Sequence, residues 1–169
     1  MKVALQGHGD DTAPVGYMER TRLYYRALGY NNDYKWSHYD EVPFAPLRKP
    51  LSESRVAIVT TTSPPGGPRD GNSKLKEVWS GPTVGAPADL NTEFMAWDKE
   101  TTHTRDRESY LPLLAFQALA TQGRIAGLTD RFHGVPTTYS QHQTNEQDAP
   151  HILQLCRDDR ADIALLVPM

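Results

Sequence analysis

Ser54-Arg55-Val56-Ala57-Ile58-Val59-Thr60-Thr61-Thr62 is the stretch that decides the fold class. Four apolar residues stand in a row with no polar interruption. A strand with one wet face would alternate apolar and polar residues, so a continuous run predicts a strand covered on both faces, as in a parallel sheet. The run gives way to Ser63-Pro64-Pro65-Gly66-Gly67-Pro68-Arg69-Asp70-Gly71-Asn72, a string of turn formers that must be a loop. A second run, Ile163-Ala164-Leu165-Leu166-Val167, predicts another buried strand.

Helical patterns separate these strands. Tyr17, Thr21, Tyr24, Tyr25 and Leu28 share one face at helical spacing, with Gly29 where a C-terminal cap belongs. Leu111, Leu114, Ala115, Ala118 and Leu119 form a stripe over 109–122, with Pro112 in its first turn and Gly123 after its end. Asp148 is placed to cap a helix over 149–159 that presents Ile152, Leu153 and Cys156. Shorter extended segments are expected at 125–128 and 135–139, and weaker ones at 3–5 and 92–96. Strands separated by helices predict an α/β fold, three-layered, with a mostly parallel sheet between flanking helices. The sheet need not be complete in this chain. Residues 1–16 read as an N-terminal arm and 17–169 as a single α/β domain.

The chain has 169 residues, which can bury a sizeable core. Its net charge of −3 offers no basic field for nucleic acid. A mean hydropathy of −0.61 is polar for a globular domain and points to long loops or to burial completed by an oligomeric partner. No run of about 18 apolar residues is present to span a membrane. The first residues lack a signal-peptide core, so a cytoplasmic location is expected. The single cysteine, Cys156, excludes an internal disulfide and a Cys-rich zinc site.

Three places could carry chemistry. Thr60, Thr61, Thr62, Gly66 and Gly67 follow the buried strand, where ligands of open α/β sheets bind. Hydroxyls and closely approached backbone N–H groups suit a carboxylate or phosphate. The loop has neither P-loop nor G-x-G-x-x-G spacing, and an ordinary strand-to-helix loop would look the same. Next, His103, Arg105 and Asp106 precede the Leu-rich helix. A histidine oriented by an acid can act as a base, and Arg can clamp a carboxylate. A solvated loop with a charged helix start fits that pattern equally. His133, in Phe132-His133-Gly134, is the third. His142 and His151 are nine apart, no recognised metal spacing, so no metal site is expected. Cys156 lies on the apolar side of its helix and reads as an inert hydrophobe. No G-x-S-x-G elbow occurs.

Several blocks in order resemble a known family. They are 25–30 (Tyr-Arg-Ala-Leu-Gly-Tyr), 41–47 (Glu-Val-Pro-Phe-Ala-Pro-Leu), 54–61, Arg105-Asp106, 123–127 (Gly-Arg-Ile-Ala-Gly) and 161–168 (Ala-Asp-Ile-Ala-Leu-Leu-Val-Pro). From about Tyr17 to Met169 the chain resembles the N-terminal part of the selenoprotein B family of glycine/sarcosine/betaine reductases, to which D-proline reductase is related. The resemblance implies an oxidoreductase subunit for reductive C–N cleavage of an amino acid or N-methylated amine carboxylate. It also implies a selenocysteine or cysteine and a partner subunit bearing a pyruvoyl group, which would bind the substrate amine and accept electrons while the selenolate attacks the α-carbon. In the family a Cys/Sec-x-x-Cys-type segment follows the strand that ends here at Val167, and this sequence carries none. Truncation, a UGA stop or a shortened homologue would each explain that, and the polypeptide alone is expected to be a poor catalyst. No cofactor is expected in the chain itself. The alternative is a non-catalytic domain that binds a small carboxylate or a partner. A non-redox hydrolase, turning on His103 or His133, ranks last.

Overall fold

The computed structural model describes residues 14, 16–33, 38–43, 45–66, 77–93, 100, 101, 104–138 and 140–169. The chain divides into two compact units, Met1–Val42 and Pro43–Met169. The expected strand at 3–5 lies outside the described residues, as does most of 92–96.

In the first unit, α1 (Tyr17–Ala27) ends as its pattern predicts, with Gly29 at φ +89°. A left-handed residue there is what glycine tolerates without a Cβ clash. Arg26 Nε donates to Asp33 Oδ1 at 2.8 Å and ties the following turn back to the helix. Tyr25 packs edge-on against Tyr24 and Tyr30, with ring centroids 5.6 and 5.7 Å away.

The second unit is a mixed α/β fold around a five-stranded, mostly parallel sheet. Its centre is β1 (Arg55–Thr60), buried along nearly its whole length. On one side β5 (Ile163–Val167) pairs with it in parallel, from Val56↔Ile163 to Thr60↔Val167. Asp162 sets that register. Its Oδ2 accepts from the Arg55 N–H at 2.8 Å and pairs with Lys49 Nζ at 2.8 Å. On the other side run β3 (Gly127–Leu128) and β4 (Arg131–Gly134), both parallel to β1. Between them the offset against β1 grows by two residues, from Val56↔Leu128 to Val59↔His133. Thr129 absorbs the bulge. Its N–H donates to the Val56 carbonyl and its hydroxyl to the Arg131 carbonyl. β2 (Trp79–Pro82) closes that side antiparallel to β4.

Two differences from the sequence reading follow. The second extended segment was expected at 135–139, but β4 occupies 131–134. Val135 adds one last hydrogen bond, to the Thr60 carbonyl, and Pro136 then has no N–H to continue the ladder. The strand at Trp79–Pro82 was not expected at all.

Successive β1 residues feed separate cores, because strand side chains alternate between faces. Ile58 joins Phe132, Tyr110, Leu111 and Leu113, the last from α2 (Leu113–Thr121). Ala57 and Val59 join Cys156 of α4 (Ala149–Asp158). α2 starts later than its stripe suggests, because Arg107–Ser109 forms a separate 3₁₀ turn. Glu108 reaches forward from that turn, and its Oε2 accepts from the Leu114 N–H at 2.8 Å. α4 starts earlier. A short α3 (Gln141–Gln143) runs through a π-helical turn, Thr144–Asp148, directly into it. Ser140 is the side chain that caps this run, accepting from the Gln143 N–H, and Asp148 makes no side-chain cap. Among the described residues, no helix is long and apolar enough to cross a membrane.

Candidate functional site

The carboxyl end of β1 is built from hydroxyls. Thr60 is fully buried, and its Oγ1 accepts weakly from the Thr62 N–H at 3.4 Å. Thr61 Oγ1 accepts from the Met169 N–H at 3.0 Å, which brings the residues after β5 beside the end of β1. Thr62 is also fully buried, and its Oγ1 has no partner. The Thr62 carbonyl is held by the Trp79 indole N–H at 2.9 Å. Ser63 then bridges to Asn91 through two backbone hydrogen bonds of 3.1 and 3.0 Å. Beyond the bridge, Pro65 and Gly66 face Asp89, Asn91, Thr92 and Glu93 across a cleft of about 170 Å³. Gly66 has φ +71°, which explains why a glycine stands there. Gly67 lies outside the described residues.

The segment before α2 reaches the same neighbourhood. The Thr104 and Thr92 hydroxyls lie 2.5 Å apart. Asp106 is spent on local structure: its Oδ1 accepts from the Glu108 N–H at 3.0 Å and its carbonyl from the Ser109 hydroxyl at 2.7 Å. Arg105 is exposed. Arg107, to which the sequence reading gave no role of its own, donates to the Pro87 carbonyl at 3.0 Å. His103 lies outside the described residues. The pairing of His103 with Asp106 thus rests on sequence alone.

His133 occupies a different place. β4 pairs it directly across from Ser80 of β2, and it is fully buried. The Ser80 hydroxyl is 2.8 Å from Nδ1, and Asp159 Oδ2 is 3.3 Å from Nε2, too poorly aligned for a hydrogen bond. Asp159 is itself gripped by the Arg131 guanidinium at 2.7 Å. Burial holds the imidazole pKa below its usual value, outweighing the upward pull of Asp159. A carboxylate only accepts, which favours the tautomer with its proton on Nε2 and makes Nδ1 the acceptor of the Ser80 hydroxyl. Ser80 and His133 thus form a hydrogen-bonded pair with Asp159 close by, an arrangement that no sequence motif announced. With the imidazole sealed from solvent, its evident work is to tie β4 to β2 through Ser80.

No protein-family model, curated protein or solved structure matches this sequence. The site must be read from its own geometry.

Cys156 is 8% exposed, and burial pushes its thiol pKa up, so it is a poor nucleophile where it stands. Among the described residues no group of three or more His, Cys, Asp or Glu is arranged to hold a metal ion. Beyond the end of β1 an open cleft can meet a ligand, lined by Pro65, Gly66, Asp89, Asn91, Thr92 and Glu93, whereas Thr60 and Thr62 are fully buried. Its acids Asp89 and Glu93 can face a cationic group such as the amine of an amino acid. The place of this cleft could have been found from the strand-end rule alone. The acids carried no signal, because Ser63↔Asn91 joins segments distant in sequence.

Proposed function

We propose that this chain is an oxidoreductase-family subunit whose β1 end holds a small amino-acid or N-methylated amine carboxylate, of the glycine, sarcosine, betaine or D-proline type. The observation that carries the reading is the Thr62 hydroxyl, buried and without a partner at the carboxyl end of the central parallel strand. A buried hydroxyl left unpaired is costly, and a ligand carboxylate would satisfy it once the loop after β1 opens, since Thr62 is fully buried in the unliganded chain. The architecture fits. In our reading, α2 and α4 cover opposite faces of the sheet in three layers, which leaves the strand ends as the open rim.

The redox role finds no fitting residue among those described, since Cys156 is buried and its thiol resists ionisation. We assign the thiol or selenol, and the pyruvoyl group, to other parts of a cytoplasmic homo- or hetero-oligomer. A pyruvoyl carbonyl supplies an electron sink for an amine substrate. This chain's contribution is then binding and orientation. The second reading, a non-catalytic carboxylate- or partner-binding domain, is favoured by the same buried cysteine.

Titration of glycine, sarcosine, betaine and D-proline into the ¹⁵N-labelled protein tests the proposal. Amide shifts should cluster at residues 60–66 and 89–93, and Thr62→Val should weaken binding about tenfold or more, since hydrogen bonds to charged groups contribute about 1.5–3 kcal/mol. Absence of shifts there with all four ligands would overturn it. Amine release by this chain alone with a dithiol would overturn the division of labour.

A further inference from the structure

A cleft of about 330 Å³ opens beside α4 and β5, distinct from the strand-end site. Its walls are apolar: Val59, Val135, Ile152, Leu153 and Leu166. Asp148 breaks that pattern. It lines the cleft, is 5% exposed, and its Oδ2 has no hydrogen-bond partner.

A buried carboxylate without a partner is expensive, and such groups persist where something satisfies them. The local backbone offers nothing. Capping would have used the carboxylate, but the helical run begins at Gln141, so Asp148 sits inside it with its neighbouring N–H groups already engaged. Asp148 also ends the π-helical turn Thr144–Asp148, and such turns, rare in general, are frequent at functional sites. Thr144, at the other end of that turn, lines the same cleft.

We propose that this cleft binds a small alkylated ammonium ion, its carbon groups against the apolar walls and its charge against Asp148. A metal ion would require further ligands, and among the described residues no group of three or more His, Cys, Asp or Glu provides them. A primary ammonium or guanidinium carries three or more N–H donors, and the cleft offers few acceptors. A fully alkylated ammonium has no N–H donor to satisfy. It needs one negative charge and an apolar surround, and no aromatic ring among the lining residues could stand in for the carboxylate. This inference does not rest on the reductase reading.

The test is titration of tetramethylammonium chloride into the full chain carrying ¹³C-labelled methyl groups. Saturable shifts are expected at Val59, Val135, Ile152, Leu153 and Leu166. Asp148→Asn removes the charge at constant shape and should weaken binding about tenfold or more, as loss of a buried charge partner does. Leu153→Lys, at a wall position that is half exposed, should weaken it independently by repulsion. tert-Butanol, a neutral analogue of similar shape, should bind at least about tenfold more weakly. Unmoved methyl signals, unchanged affinity in D148N, or equal binding of tert-butanol would overturn the proposal. A peptide bearing trimethyl-lysine that bound about tenfold tighter than the free ion would overturn assignment to a free small molecule. Tetramethylammonium has no carboxylate, so its failure would leave the strand-end reading intact. Conversely, Thr62→Val should not alter its binding.

Discussion

The Trp79 indole N–H donates to the Thr62 carbonyl at 2.9 Å, so β2 holds the backbone on which the candidate carboxylate site depends. The same ring lies edge-on to Phe132, 5.4 Å between centroids, and roofs Gly134. A Cβ built on Gly134 would fall within 3 Å of three indole atoms. Gly134→Ala should therefore displace Trp79, destabilising the fold by about 1–3 kcal/mol, as overpacking does. It should also weaken ligand binding at residues 60–66. Trp79→Phe keeps most of the packing and loses the hydrogen bond, at a cost of about 1 kcal/mol. Urea unfolding of both variants beside the ligand titration checks this, and a stable Gly134→Ala protein with an unmoved Trp79 resonance would refute it.

His133 gives the protein a stability that depends on pH. Burial keeps the folded-state imidazole neutral by lowering its pKa, so on acidification the unfolded chain takes up the proton first. Its contribution is full above the ordinary histidine value of about 6.5 and declines as pH falls through that value toward the lower folded one. Urea midpoints should hold steady above about pH 7 and fall below about pH 6. His133→Gln should flatten that part of the curve, and a fall of unchanged size in the variant would place its origin elsewhere.

Ser80→Ala should show what the serine does. Removing the hydroxyl leaves Nδ1 of a fully buried imidazole unpaired, which should cost about 1–3 kcal/mol. A reactive serine would instead be labelled by a fluorophosphonate in the folded protein. We expect no labelling, and modification at Ser80 would turn this half-buried strut into an active centre.

Val56–Val59 was legible because burial on both faces leaves an uninterrupted run. Ile163–Val167 has the same apolar run and is a strand, but it is not the buried strand its sequence predicts: its residues alternate half-buried and exposed, with Leu166 66% exposed. β2 was hidden for the converse reason. Trp-Ser-Gly-Pro has no period, and only its ladder with β4 makes it a strand. β4 was misplaced because Arg131 and His133 look like loop residues until Asp159 pairs with Arg131 and Ser80 with His133, each from far along the chain. Local rules also misassigned Asp148. A cap was the natural reading of Asp before Ala-Pro, and nothing local signalled a helical run from Gln141 with a π turn in it. At the candidate site, Thr60–Thr62 could be placed because strand ends are predictable. Asp89 and Glu93 depended on a tertiary bridge that no local pattern encodes.

Cys156 offers a last test, on the division between binding and redox work. Its thiol is 8% exposed, its pKa is raised chiefly by burial and secondarily by Asp159, and its neighbours are Ala57 and Val59. Reaction with a thiol reagent requires the thiolate and access, and the folded protein denies both. Alkylation by iodoacetamide should therefore be slow in the native protein and should accelerate with urea in step with unfolding. Ligands for the β1 end, which bind only the folded state, should slow it further by mass action. Cys156→Ala should leave carboxylate binding unchanged while destabilising the fold modestly, since a small apolar contact is lost. Fast alkylation of the native protein, or loss of ligand binding in C156A, would return this cysteine to the chemistry and remove the reason for assigning the redox group elsewhere.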